Sequence, residues 1–133
     1  MSALKEAFAA KTSFLSGKGV PPEQITQAEQ ELGLSFSDEY REYLSDYGIG
    51  AYDGHELTGL TKSKRLNVIT ATTEARKRYT DLPADLYVIE ELGVEELIIL
   101  QNASGEIYAC GPNYKLEKIR DSFTAYVKGK ESE

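Results

Sequence analysis

The spacing of apolar residues changes along the chain, and this change limits the fold classes open to it. Between residues 22 and 47, apolar and aromatic side chains recur every three or four positions, which predicts helices. Beyond Pro83 they follow a period of two, which predicts strands. Helices followed by neighbouring strands favour an α+β domain, with N-terminal helices and a C-terminal helix packed on a mostly antiparallel sheet.

The two central helices carry clear start and stop signals. Pro22 begins the first and Gly33 ends it, while Ser37 begins the second and Gly48 ends it. Three tyrosines share one face of the second helix, and we expect at least two of them in the core. These tyrosines are Tyr40, Tyr43 and Tyr47.

Weaker patterns predict the remaining elements. Further helices are expected over residues 2–15 and 72–80, a loop over 48–54 and a strand over 55–60, while 66–70 is ambiguous. An antiparallel meander of three strands is expected over residues 86–90, 95–100 and 106–110, with turns at 92–94 and 102–105. Residues 111–113 then end the sheet, Asp121 or Ser122 caps a last helix, and the tail from Lys128 to Glu133 is expected to fray.

Length and charge narrow the function classes. A chain of 133 residues suits one domain over residues 1–133. Its net charge of −7 disfavours direct binding to nucleic acid and would attract a basic protein. The alternative is that the acidic charge only keeps the protein soluble. Cys110 is the only cysteine, and neither a signal peptide nor a long apolar run is evident. We therefore expect a cytoplasmic protein that does not enter a membrane.

Candidate catalytic residues lack partners. His55 is the only histidine, and Asp53 and Glu56 neighbour it in sequence alone, so a structural hydrogen bond is favoured over acid–base chemistry. Cys110 ends an apolar strand and is expected to be a small buried residue rather than a nucleophile. We expect no catalytic residue, and a hydrolase built on Glu56 and Asp53 is the weakest alternative.

Cofactor and metal signals are also missing. The sequence has no paired histidines, no Cys-x-x-Cys and no aspartate-rich calcium loop, and the acidic run over residues 90–96 is expected to be a solvated turn. The glycines of Gly48-Ile49-Gly50 follow a helix instead of a strand, so they do not fit a phosphate-binding loop. We therefore expect neither cofactor nor metal.

A family resemblance emerges from an ordered series of segments. Residues 20–44, VPPEQITQAEQELGLSFSDEYREYL, resemble the opening of SUKH superfamily (Smi/Knr-like) domains, and Tyr47-Gly48-Ile49-Gly50 is similar to the glycine signature that follows. Further segments fit the rest of the domain, so the resemblance covers about residues 21–128. These segments are residues 55–60, 81–83, 88–89, 98–99 and 122–123. Ser37 and Ile49 depart from the usual proline and from the usual glycine or asparagine.

The resemblance implies a binding scaffold with no established catalytic residue. Bacterial members are similar to immunity proteins that block secreted or contact-delivered toxins, often nucleases. Eukaryotic members look like regulatory interaction modules, which is the alternative function for this chain. The implied partner is a cognate toxin domain with a basic surface, a nuclease being one candidate, and the protein is expected to be a monomer or weak homodimer.

Charge and expected exposure then select candidate contact residues. One group follows the third helix and the other surrounds the turn near Gly93. The first group is Asp46, Tyr52, Asp53, His55 and Glu56, and the second is Glu90, Glu91, Glu95 and Glu96. The family resemblance does not itself fix an interface.

Overall fold

The computed structural model describes residues 2–93, 96–112 and 114–129. Helices come first, strands dominate the second half, and a helix follows them, as predicted for an α+β domain. The elements are α1 (Ala3–Ala9), β1 (Leu15–Ser16), α2 (Pro22–Leu32), α3 (Asp38–Asp46), β2 (Gly50–Tyr52), β3 (His55–Glu56), α4 (Val68–Arg78), β4 (Tyr87–Glu91), β5 (Ile98–Gln101), β6 (Ile107–Gly111), β7 (Tyr114–Arg120) and α5 (Phe123–Lys128). None of the described helices is long and apolar enough to cross a membrane.

The strands form two antiparallel sheets. The smaller has the order β1-β2-β3 and the larger the order β4-β5-β6-β7. An antiparallel bridge between Leu57 and Glu90 brings β3 beside β4. The predicted meander is confirmed for β4, β5 and β6, but the sheet does not end at residues 111–113, because β7 pairs with β6 as a fourth strand.

Helices cover both faces of the larger sheet. Tyr87 and Ile89 of β4 pack in the main core with α1, α2, α3 and α5, while Leu86 and Val88 pack against α4 in a second cluster. Strand alternation produces this division, because neighbouring side chains point to opposite faces. Helix α4 therefore covers the face of the sheet opposite to the one that faces the main core.

The central helices have the predicted signals. Gly33 ends α2 in the left-handed conformation, and the Ser37 hydroxyl accepts a hydrogen bond from the Tyr40 amide at the start of α3. Tyr40 and Tyr43 are fully buried, which confirms the core prediction. Their hydroxyls bond to the side chain and carbonyl of Thr58, 2.8 and 2.7 Å away, so the buried polar groups are paired.

Several element bounds differ from the prediction for local reasons. The first helix ends at Ala9, and the Ser13 hydroxyl bonds to the amide and carboxylate of Asp53, which draws the next segment against β2. As a result β1 begins at the last residue of the predicted first helix, and β2 lies inside the predicted loop. The fourth helix begins at Val68 instead of residue 72, because the Asn67 side chain caps it, and it ends at Arg78 instead of residue 80.

The strands also have different bounds. The predicted strand over residues 55–60 is regular only in β3, and it continues as single bridges at Leu57 and Gly59. Strand β5 begins at Ile98 instead of residue 95, and β6 begins at Ile107. Predictions that involve residues 94–95, 113 and 130–133 lie outside the described residues.

Glycines allow close backbone packing near the end of α3. A Cβ atom on Gly19 would lie 1.7 Å from the Ser45 carbonyl oxygen, and one on Gly59 would lie 2.0 Å from the Gly48 carbonyl oxygen. Gly48 itself has φ +72° and ends the helix, as predicted. Of the residues in the glycine signature, Gly48 therefore lies in close backbone contact with Gly59.

The last helix is fixed by α3. Ser122 caps α5, which settles the choice between Asp121 and Ser122. The Glu39 carboxylate accepts hydrogen bonds from the Phe123 and Thr124 amides, at 2.8 and 3.0 Å. These bonds join the third helix to the start of the last.

Candidate partner-binding face

The structure brings part of each predicted group of contact residues together at the ends of β3 and β4. Because Leu57 bridges Glu90, the end of β3 lies beside the end of β4. Antiparallel register places Glu56 opposite Glu91. We call the region of Asp53, His55, Glu56 and Glu91 at these strand ends the β3–β4 face, in which Glu56 is exposed to solvent and His55 turns inward to Glu90. Its binding role stays a prediction.

Glu90 lies beneath this face and is buried, so its prediction as an exposed contact is wrong. Only 2% of the residue is exposed. Its carboxylate is 2.9 Å from Nδ1 of His55 and accepts a 2.5 Å hydrogen bond from the Tyr126 hydroxyl. The cause is a bulge between Val88 and Glu90, which turns the glutamate toward the main core beside Ile99.

The bond to Glu90 gives His55 the structural role that the sequence favoured. Glu90 holds one ring nitrogen, and the Tyr52 ring stacks on the imidazole with centroids 4.9 Å apart. Burial raises the pKa of the Tyr126 hydroxyl, and the Glu90 carboxylate raises it further. The phenol therefore stays protonated and donates to the buried carboxylate, which fixes α5 against β3 and β4.

Tyr52 is the second predicted contact that the structure corrects. It is 3% exposed because β2 places its ring in the main core, beneath His55. Burial raises the pKa of its hydroxyl, and the charges of Glu90 and Asp53 add to this effect. Tyr52 supports the face from below instead of forming its surface.

Most of the exposed predicted acids already have a cation beside them. Asp53 lies 3.8 Å from Lys11, and Glu56 lies 2.9 Å from Arg65. Within the described part of the chain, Glu91 forms no ion pair. The β3–β4 face is therefore less negative than a count of its carboxylates suggests.

Two predicted acids bond elsewhere, and one cannot be placed. Asp46 lies 3.4 Å from Lys5 of α1, and Glu96 lies 3.6 Å from Arg78 at the end of α4. Neither has a hydrogen bond or ion pair to the β3–β4 face in the regions that the structure describes. Glu95 lies outside the described residues.

The ion pair between Glu56 and Arg65 gives a titration prediction. The hydrogen bond from Arg65, with the guanidinium charge, lowers the pKa of the Glu56 carboxyl. A carboxyl whose pKa is lowered by folding adds stability above its unfolded pKa and loses it as pH falls. For an exposed pair this contribution is small, so we expect Arg65→Gln to raise the Glu56 pKa with little change in melting temperature. Carbon-detected NMR measures the Glu56 pKa. The control is Arg78→Gln, which should leave the Glu56 pKa unchanged. A Glu56 pKa that does not move in Arg65→Gln would contradict the pairing.

The geometry offers little to acid–base catalysis. A lowered pKa at Glu56 is the opposite of what a general acid needs, and Asp53 is bonded to Ser13. Burial raises the pKa of the Cys110 thiol, which keeps it protonated. Among the described residues, no group of three or more histidine, cysteine, aspartate or glutamate side chains could hold a metal ion.

One surface feature was missed by the sequence analysis. Leu15, the last residue of the predicted first helix, instead lies on strand β1 and is 72% exposed. It borders a groove of about 240 Å³ with Ile49, Ala51 and Leu66. No sequence signal indicated this groove, because its walls come from three separate parts of the chain.

The family profile described as SMI1-KNR4 cell-wall (SUKH_5) matches residues 3–130. The chain belongs to this family. The match extends the sequence resemblance, which began near residue 21, to include α1. SMI1-KNR4 membership supports a protein–protein module of the immunity or Smi/Knr type. It leaves the partner unnamed.

Structural comparison agrees with the SMI1-KNR4 assignment at the level of the fold. A crystal structure of a protein from Pseudomonas syringae pv. tomato is similar, with a TM-score of 0.67 and 17% sequence identity. The similarity covers 95% of this chain and 91% of that one. No curated protein matches the chain.

Proposed function

We propose that this chain is an immunity protein that binds a cognate bacterial toxin domain and neutralises it by blocking its active site or an exosite. The observation that carries the proposal is the β3–β4 face, where exposed carboxylates lie over a buried hydrogen-bonded network in an SMI1-KNR4 domain. His55 is the partly exposed residue that this network holds in place, so it can meet a partner with little loss of side-chain freedom. The cytoplasm remains the expected location.

Charge supports a basic partner. The chain has a net charge of −7, and a nuclease domain must present cations to bind phosphate. Exposed ion pairs such as Glu56 with Arg65 contribute little to stability, so a toxin cation can replace the internal partner at small cost. A nuclease is therefore the first candidate, and a toxin with an acidic surface would need another contact region.

The direct test is neutralisation. Toxin C-terminal domains encoded beside this gene are to be co-expressed with the protein and captured with it. We expect one domain to bind and cell growth to be restored. Failure of every neighbouring domain to bind would overturn the proposal.

Charge reversal tests the face. We expect Glu56→Lys with Glu91→Lys to slow association with the toxin domain about tenfold at low salt, because steering depends on local charge. Stopped-flow rates measure this effect, which should shrink as salt is raised. Glu23→Lys with Glu31→Lys on α2 makes the same change in net charge and should have the smaller effect. Equal rates for the two double variants would contradict a role for the face.

A regulatory interaction module is the second candidate, since the matching family description refers to the cell wall. In that case the protein would bind an enzyme or regulator of its own cell. It would give that cell no protection against a toxin. Affinity capture from the native organism, with and without the toxin gene, separates the two functions. A partner retained after deletion of the toxin gene favours the module.

A further inference from the structure

Leu15 marks an apolar groove at the edge of the smaller sheet. In the described part of the chain it is the one large hydrophobic side chain that is strongly exposed. The groove beside it has a volume of about 240 Å³, and its lining includes Ile49, Ala51, Leu66 and two glycines. An exposed apolar side chain beside an apolar groove is typical of a contact surface.

Strand β1 is an edge strand of the smaller sheet, and among the residues that the structure describes no strand pairs with it on the side away from β2. The Gly17 amide donates to the Ile49 carbonyl, and Ser16 lies opposite Gly50. Because hydrogen-bonded pairs alternate along an antiparallel ladder, the N–H and C=O of Ser16 point to the open edge. Gly50 agrees with this register, since its carbonyl accepts from Leu57 on the other side of β2. An edge of this kind pairs with an extended chain.

The edge is fixed before any partner arrives. The Phe14 ring stacks on Phe8 with centroids 4.5 Å apart, which ties the residue before Leu15 to the core. After β1 in the chain, close backbone contact holds Gly19 against Ser45. Because the edge is already ordered, adding a strand to it costs little conformational entropy.

The groove continues into the β3–β4 face. Glu56 lines the groove and also belongs to that face, where it lies opposite Glu91. A segment that leaves the groove along this side therefore meets carboxylates. This arrangement favours an apolar residue in the groove with lysine or arginine nearby.

We propose that an extended segment of the cognate toxin domain pairs with β1 at Ser16 and places an apolar side chain against Leu15, Ile49 and Leu66. The inference rests on the proposed function and names the contact through which it acts. Backbone pairing supplies the geometry, the groove supplies the apolar contact, and the β3–β4 face supplies the attraction to a basic surface.

The test compares binding of the toxin domain to the unmodified chain, to the variants Leu15→Ser and Ser16→Pro, and to a control variant. Leu15→Ser removes the apolar contact, and we expect it to weaken affinity about 10- to 100-fold, mainly through faster dissociation. Ser16→Pro removes the outward N–H and should also weaken binding. Ala103→Ser, at an exposed turn, is the control and should bind as the unmodified protein does. Circular dichroism checks the fold of each variant, and Leu15→Ser alone decides the outcome if Ser16→Pro does not fold.

Amide hydrogen exchange gives an independent readout. We expect the Ser16 amide of the unmodified protein to be protected when the toxin domain is added. If Leu15→Ser binds with unchanged affinity and Ser16 stays unprotected while growth is still restored, the strand-pairing inference fails and the proposed function stands. If the unmodified protein binds no neighbouring toxin domain, both fail. A dimer of the unmodified protein that Leu15→Ser converts to a monomer would show a second copy at the edge and overturn the inference.

Discussion

Replacing Gly19 by alanine is expected to lower the free energy of unfolding by about 3 kcal/mol. The added Cβ would lie 1.7 Å from the Ser45 carbonyl oxygen, which belongs to the backbone and cannot rotate away. The segment must therefore move, and the hydrogen bond from the Val20 amide to the Leu44 carbonyl would be lost with it. Urea denaturation monitored by circular dichroism measures the change.

Gly33→Ala is the matched control for this prediction. Gly33 has φ +69°, but a Cβ there meets nothing within 4 Å. We expect a loss of about 1 kcal/mol, which reports the cost of the backbone conformation alone. Similar losses for the two variants would show that the contact between Gly19 and Ser45 is looser than described.

Replacing Glu90 by alanine is expected to cost about 2–3 kcal/mol, because two polar groups lose a buried partner. The Tyr126 hydroxyl would have no acceptor, and His55 would lose the bond that orients its ring. The variant should also loosen α5, which faster amide exchange in residues 123–128 would reveal.

Two further variants test the cause of that loss. Glu91→Ala removes the adjacent but exposed carboxylate and should change stability by less than about 0.5 kcal/mol. A double-mutant cycle of Glu90→Ala with Tyr126→Phe isolates the coupling between the two side chains. Additive effects would mean that the short hydrogen bond contributes nothing beyond packing.

The sequence predicted elements whose signals are local. Helix α2 begins at Pro22 and ends before Gly33, as expected, because each signal acts on the backbone beside it. The burial of Tyr40 and Tyr43 followed from their spacing on α3. These features need no knowledge of the rest of the chain.

Short and edge strands were missed for a different reason. Strand β2 has three residues among turn-forming ones, and the two-residue β1 begins at the end of an apolar pattern that imitates a helix. Strand β7 carries Lys115, Glu117 and Lys118, and charged residues of this kind are usual on an edge strand. Only pairing with a neighbour identifies such segments.

The candidate site combined correct and wrong predictions. Asp53, Glu56 and Glu91 are exposed as expected, while Glu90 is buried because a bulge changes the alternation of β4. The sequence also gave no sign that His55 would meet a residue from a distant strand. Contacts of this kind depend on tertiary structure, and the binding role of the face stays a prediction.

The packing of α5 has a consequence for synthesis in the cell. Phe123 lies within 6.1 Å of Phe8 and 5.5 Å of Tyr43, measured between ring centroids, so the last helix completes a core that begins with the first. A ribosome delivers α1 early and α5 late, and these aromatic rings stay uncovered in the interval. We therefore expect the yield of folded protein to depend on chaperone supply during translation, since exposed aromatic surface promotes aggregation.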